Sequence, residues 1–142
     1  MQTLNEKSKL FFLDLVREAT LIHSTELRFR DIIALTIELS IDDQPTPHGK
    51  LRGYILANYR TDVFFVPEIA FFLLDGQAPG ETDHRKIRVL PQWVYLESTT
   101  GKEVSAELTS NWDINVDPGL NAKHCLIAET WLADMERDGF GY

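Results

Sequence analysis

Cysteine is almost absent from this 142-residue sequence, since Cys125 is the only one. A single cysteine excludes an internal disulfide and fits a reducing compartment. The short apolar patch at residues 10–13 is followed at once by Asp14, Arg17 and Glu18, and no small-residue cleavage site comes after it. We therefore predict no signal peptide and expect a cytoplasmic protein.

Catalytic and ligand-binding motifs are missing as well. The glycines are scattered, so no glycine-rich phosphate loop precedes a helix, and no serine lies in a nucleophile-elbow context. Glu81, Asp83 and His84 are neighbours, but their spacing matches no metal-ligand pattern, and Asp42–Asp43 lies in a proline-rich stretch without a basic partner. Because these motifs are absent, we predict no catalytic residue, no metal site and no cofactor. Their absence favours a non-enzymatic protein over an enzyme.

Basic residues are scarce in the last part of the chain. The sequence holds 14 Lys and Arg against 22 Asp and Glu, a net charge of −8. Residues 103–142 contain eight of the acids but only two of the bases. This distribution argues against direct binding to nucleic acid or to an anionic membrane, because both need basic patches. The acidity either keeps the protein soluble or attracts a basic protein partner.

No hydrophobic run is long enough to cross a membrane. The most apolar stretch, residues 51–76, is interrupted by Arg60, Asp62, Pro67 and Glu68, whereas a membrane-spanning helix needs about 20 apolar residues. Such a stretch must instead be buried at the centre of the fold.

We predict that this central stretch contains a strand followed by a short helix. The strand covers about residues 52–59, where β-favouring side chains are frequent. The helix covers about residues 67–75, because Pro67 and Glu68 suit a first helical turn and Gly76 suits the position just past a helix end.

Two amphipathic helices are predicted at the ends of the chain. Thr3 and Glu6 match a capping box, and the apolar stripe after them predicts a helix to about residue 22. Asp117 matches an N-cap before a proline, which predicts a second helix over about residues 118–138.

Alternating apolar and polar residues predict strands between these helices. Residues 33–41 should pair with the strand before the buried helix, through a long loop at residues 42–49. Residues 87–97 and 103–108 predict a second hairpin, and residues 112–116 predict a further short strand.

The element order predicts one α+β domain over residues 1–142. It consists of an antiparallel sheet of four to five strands with N-terminal and C-terminal helices and a short central helix.

The preferred functional hypothesis is a small acidic protein that acts through contact with other proteins, as an inhibitor, adaptor, chaperone or assembly component. Residues 10–22 present a wider apolar face than one sheet should cover, and the tail carries two large aromatics. Excess apolar surface usually marks a contact, so we also expect a homo-oligomer, in its simplest form a homodimer. The candidate partner-binding residues are Phe12, Val16, Asp134, Glu136, Asp138, Phe140 and Tyr142.

The alternative hypothesis is a small enzyme or ligand-binding protein with a pocket lined by aromatic side chains. A deep cavity containing a histidine or a carboxylate would favour this alternative, and a filled core with flat apolar surface patches would favour protein contact. The candidate pocket residues are Tyr54, Tyr59, His84, Trp93 and His124.

Overall fold

The chain folds into two terminal helices packed on an antiparallel sheet. The computed structural model describes residues 1–21, 26–29, 33–60, 67–96 and 101–137. A 3-10 turn at His84–Lys86 precedes the fifth strand. The helices and strands in chain order are α1 (Glu6–Leu21), β1 (Glu26–Phe29), β2 (Ile33–Thr46), β3 (Gly49–Arg60), β4 (Glu68–Asp75), β5 (Ile87–Tyr95), β6 (Lys102–Val104), β7 (Ala106–Leu108), β8 (Ile114–Val116) and α2 (Pro118–Arg137).

The main sheet is a meander in which each strand pairs with the next one along the chain. Strands β2 to β6 form five antiparallel strands, and the short β1 extends the sheet beside β2. Strands β7 and β8 form a separate two-stranded ribbon. The predicted α+β class, with an antiparallel sheet and a helix at each end of the chain, is confirmed.

The predicted central helix is wrong, because Glu68–Asp75 form strand β4 in the middle of the sheet. Ile69 and Phe71 enter the core beneath the helices, whereas Phe72 and Leu74 enter a second core on the opposite face. A strand that is covered on both faces has an unbroken apolar sequence. Periodicity cannot distinguish such a strand from a buried helix, which explains the error.

The first hairpin is longer than predicted. Strands β2 and β3 continue through the loop expected at residues 42–49, and a turn at Pro47 and His48 joins them. Register shifts between Leu39 and Gln44 absorb the irregular sequence there. Bulges of this kind keep a polar, proline-containing stretch within a hairpin.

The second predicted hairpin is divided between the two sheets. Strand β5 pairs with β6, and after Ser105 the chain turns so that β7 pairs with β8. The backbone N–H of Ser105 donates to the carbonyl of Gln92 on β5 at 3.0 Å, which holds the ribbon close to the main sheet. The ribbon covers a smaller core formed by Leu51, Phe72, Leu74, Leu90 and Ala106.

The predicted N-cap is confirmed for α2 but not for α1. Helix α1 begins at Glu6, and its N-cap is Asn5, because Asn5 Oδ1 accepts a hydrogen bond from the backbone N–H of Ser8 at 2.8 Å. The capping box predicted from Thr3 is therefore wrong. Asp117 caps α2 as predicted, by accepting a backbone N–H of the first turn at 3.2 Å. In the described part of the chain, no helix combines the length and apolarity that crossing a membrane requires.

Candidate functional site

A cleft of about 380 Å³ lies between α1 and one face of the sheet, and it is partly open to solvent. The apolar side chains that line it are Leu10, Leu13, Val16, Tyr54, Leu73 and Ile87. The polar side chains that line it are Asp14, Arg17, Thr20, Arg52, Asp75 and His84. An apolar surface with a few polar groups around it is the usual composition of a small-molecule site.

Simple periodicities place these residues on the two walls. On β3, Arg52 and Tyr54 are two positions apart, so their side chains lie on the same face of the sheet. On α1, Leu10, Leu13 and Arg17 recur at helical spacing and follow one side of the helix. Leu10 is 40 % exposed although it is a large apolar residue. The cleft is therefore where the apolar face of α1 extends beyond what the sheet covers.

Both guanidinium groups of the cleft are already paired with carboxylates. Arg52 donates through two nitrogens to both carboxylate oxygens of Asp43, and the NH2–Oδ2 distance is 3.2 Å. This hydrogen bonding lowers the pKa of Asp43 and raises the pKa of Arg52. Arg17 donates to Asp14 at 2.9 Å, one turn away on α1. The two pairs leave little net positive charge on the walls.

Two other polar side chains of the cleft, those of Asp75 and His84, form fewer hydrogen bonds and no ion pairs among the described residues. Asp75 Oδ1 accepts the backbone N–H of Gln77 at 2.9 Å, and among the described residues its carboxylate forms no ion pair. The backbone carbonyl of His84 accepts Lys9 Nζ at 2.7 Å. The His84 ring has no hydrogen-bond partner within the part of the chain that the structure describes. A carboxylate and an imidazole therefore remain available at the cleft.

The structure brings together two of the five predicted pocket residues. Tyr54 and His84 both line the cleft. Trp93 pairs with Ala70 on the opposite face of the sheet, where Lys102 Nζ lies 4.1 Å from the centre of its ring. The side chain of Tyr59 lies outside the described part of the structure. Sequence reasoning missed Arg52 and Asp75. The position of Arg52 two residues before Tyr54 in the predicted strand was an available signal, whereas Asp75 had none, because residues 67–75 were predicted as a helix.

The fifth predicted pocket residue, His124, belongs to a separate buried cluster. Its Nδ1 lies 2.8 Å from Ser105 Oγ, and its Nε2 lies 2.8 Å from Glu103 Oε1. A hydroxyl, an imidazole and a carboxylate in a row resemble the order of groups in a catalytic triad. However, Ser105 is only 2 % exposed and His124 is completely buried, so the hydroxyl cannot meet a substrate. The cluster instead ties α2 to the region between β6 and β7.

Glu103 makes this cluster sensitive to acid. The pKa of Glu103 is lowered mainly by its hydrogen bond with His124 and then by Lys123, whose Nζ lies 3.0 Å away. A carboxyl group with a lowered pKa in the folded state stabilises the fold above its ordinary pKa, and the contribution is lost as the pH falls through the folded value.

We therefore expect the stability of the protein to fall on acidification below about pH 4.3, the ordinary pKa of a glutamic acid. Glu103→Gln should weaken this dependence, because glutamine cannot change its charge. Urea denaturation at a series of pH values between neutrality and strong acid measures it. Glu107→Gln, at an exposed position on β7, is the matched control. Equal pH dependence in the two variants would contradict a role for Glu103.

The predicted partner-binding residues of α1 lie inside the fold. Phe12 is completely buried and its ring centroid is 4.9 Å from that of Phe71, and Val16 is also buried. The wide apolar face of α1 is therefore largely used by the chain's own core. Leu10 and Leu13 are the parts of it that stay accessible, at the cleft.

The predicted partner-binding residues of α2 are partly engaged in ion pairs. Asp134 lies 3.2 Å from Arg137, and Glu136 lies 3.6 Å from Lys7 on α1. Ion pairs within the chain account for part of the acidity of this region, so the acids are not all free for a basic partner. Asp138, Phe140 and Tyr142 lie outside the described residues.

Within residues 1–21, 26–29, 33–60, 67–96 and 101–137, no group of three or more His, Cys, Asp and Glu side chains is arranged to hold a metal ion. Comparison with known protein families, curated proteins and solved structures finds no match to this chain. The functional assignment therefore rests on the geometry of the cleft.

Proposed function

We propose that this protein binds a small amphipathic organic molecule in the cleft between α1 and the sheet. The observation that carries the proposal is the cleft itself, whose volume is about 380 Å³. Ligand pockets usually have volumes of about 300–1,000 Å³, with mostly apolar walls and a few polar groups that orient the ligand. Leu10, Leu13 and Ile87 supply the apolar surface, and Asp75 and His84 supply polar groups.

Binding fits these groups better than catalysis does. A general base needs a second group that orients it, and a nucleophile needs an adjacent base. The ring of His84 has no such partner among the described residues. Ser105 and His124 are hydrogen-bonded to each other, but both are buried away from solvent. The accessible polar groups of the cleft therefore suit recognition of a ligand.

Filling the cleft tests the proposal. Leu10→Trp places a larger side chain at the cleft, and it should abolish or strongly reduce saturable binding of Nile red, a neutral dye whose fluorescence rises in apolar surroundings. Leu126→Trp is the matched control, because Leu126 is a 65 % exposed leucine on α2 that does not line the cleft. Fluorescence titration of the parent and both variants measures the effect. Equal dye binding by all three proteins would contradict the proposal.

Contact with another protein is a second proposal, and Trp112 is the observation that favours it. Trp112 lies between β7 and β8, is 41 % exposed and has a positive φ of 59°. A bulky residue in this conformation is strained, and strain of this kind clusters at functional positions. Tryptophan is also enriched among the residues that dominate binding energy at protein interfaces.

The loop around Trp112 is held by several hydrogen bonds. The backbone N–H of Trp112 donates to the carbonyl of Thr109 at 3.0 Å, and Thr109 Oγ1 accepts the N–H of Asp113 at 3.1 Å. The carboxylate of Asp113 also lies 3.0 Å from the ring of His48 in the neighbouring turn. These contacts support the exposed position of the tryptophan, as a contact residue requires.

Trp112→Asn tests this second proposal, because asparagine tolerates a positive φ. We expect the variant to lose binding to a protein that the parent captures from its native host, while Leu126→Asn keeps it. Light scattering of the same proteins tests the homodimer expected from the sequence. Unchanged capture and unchanged mass for Trp112→Asn would contradict a contact role for this residue.

A further inference from the structure

We propose that the cleft selects a positively charged ligand, namely an amphipathic amine whose ammonium group binds at Asp75. This inference rests on the proposed ligand-binding function and adds the charge of the ligand. It follows from the charges that the cleft leaves uncompensated.

The two arginines of the cleft form ion pairs with carboxylates, whereas the carboxylate of Asp75 forms no ion pair among the described residues. Arg52 is paired with Asp43 outside the lining, and Arg17 is paired with Asp14 within it. Each pair brings one positive and one negative charge together, so neither guanidinium offers an uncompensated charge to an anion. Asp75 is half-buried at the end of β4, and within the described chain it receives one hydrogen bond, from a backbone N–H. Its second carboxylate oxygen is therefore available to a donor.

Lys50 is a residue of the described chain that could compete for this carboxylate. It is the cross-strand partner of Asp75 in the pairing of β3 with β4. However, its ammonium group forms no ion pair with Asp75 in the described structure, and Lys50 is exposed. Its charge acts instead on Asp43, where it contributes, after Arg52, to the lowered pKa. Lys50 also does not line the cleft, so a bound ammonium group would not displace it.

Other groups of the cleft also favour an ammonium ion over an anion. His84 also lines the cleft, and an imidazole nitrogen without a proton accepts a hydrogen bond from an ammonium N–H. Tyr54 is an aromatic residue of the cleft lining, and aromatic rings attract cations through their faces. A cation would also be attracted by the net charge of −8 that the whole chain carries. The apolar part of the ligand would lie on Leu10 and Leu13.

Three probes with one alkyl chain and different head groups test the inference. Octylamine is protonated at pH 7, octanol is neutral and octanoate is negative. We expect octylammonium to bind about tenfold more tightly than octanol, as one charge-assisted hydrogen bond would provide, and octanoate to bind more weakly than octanol. Isothermal titration calorimetry with the intact protein measures the three affinities.

Asp75→Asn should remove the preference for octylammonium, so that octylammonium and octanol bind with similar affinities. Asparagine keeps the Oδ1 acceptor for the backbone N–H of Gln77, so the local structure is preserved. Glu107→Gln removes one negative charge on β7 and should retain the preference, which separates a local effect from the net charge of the protein. Equal affinities for the three probes, or tightest binding of octanoate, would overturn the inference while the ligand-binding function stands. If no probe binds and Nile red binding does not depend on Leu10, the proposed function has failed too.

Discussion

Replacing Phe71 with alanine is expected to lower the free energy of unfolding by about 3–5 kcal/mol. Phe71 is completely buried in β4, and its ring packs against that of Phe12 on α1 with the centroids 4.9 Å apart. Truncation would leave a cavity between α1 and the sheet, because a packed interior relaxes only partly around a deleted ring. Such a loss is a large part of the about 5–15 kcal/mol that stabilises an ordinary protein. Urea denaturation followed by circular dichroism measures it.

Two other variants make this result interpretable. Leu126→Ala is the control, since Leu126 is 65 % exposed and its truncation should change stability by less than about 0.5 kcal/mol. Phe72→Ala should be about as costly as Phe71→Ala, because Phe72 is completely buried on the opposite face, beneath the β7–β8 ribbon. If both phenylalanine variants unfolded at the same urea concentration as the parent, the burial of both faces of β4 would be contradicted.

Replacing His124 with alanine is expected to lower the free energy of unfolding by about 2–4 kcal/mol. The variant loses a completely buried ring and its contacts at 2.8 Å with Ser105 and Glu103. The buried hydroxyl of Ser105 would keep only two long contacts of 3.4 Å, to backbone carbonyls of β5. A buried polar group that loses its best partner is costly, since water does not replace the lost bond. Urea denaturation at neutral pH measures the loss.

His48→Ala is the matched control, because it also removes a contact between a histidine and a carboxylate. The ring of His48 lies 3.0 Å from Asp113, but both side chains are exposed, so the cost should be below about 1 kcal/mol. A double-mutant cycle between His124→Ala and Ser105→Ala should give a coupling energy of about 0.5–3 kcal/mol. Similar costs for the two histidine variants, or strictly additive effects in the cycle, would contradict the buried cluster.

The elements with local signals were predictable. Helix α2 combines a capping Asp117, a proline at its first position and an apolar stripe, all within one continuous segment. Strand β2 shows an alternation at 33–41 that predicts a strand. Leu35 and Ile37 are buried as this alternation predicts, whereas Leu39, beside a register shift, is 48 % exposed. Each signal depends on neighbours in the chain, so no knowledge of the rest of the fold was needed.

The candidate site was predictable only in part. Tyr54 and His84 were candidates because an aromatic and an imidazole suit a pocket, and they lie in the same cleft. His124 was a candidate for the same reason, yet its partners Ser105 and Glu103 lie about twenty positions earlier in the sequence. Chemistry alone does not tell which of several polar side chains share a site, because that depends on which strands and helices become neighbours.

By itself, the sequence determined the terminal helices, the first antiparallel hairpin and the central burial of residues 69–74. Tertiary structure decided that those residues form a strand, because the helices cover one face of β4 and the β7–β8 ribbon covers the other. It also decided that the excess apolar surface of α1 becomes a cleft, because the sheet covers Phe12 and leaves Leu10 partly exposed. The physical reason is common to both cases. A hydrophobic pattern indicates which residues must be buried, whereas contacts between distant parts of the chain determine which helices and strands cover those residues.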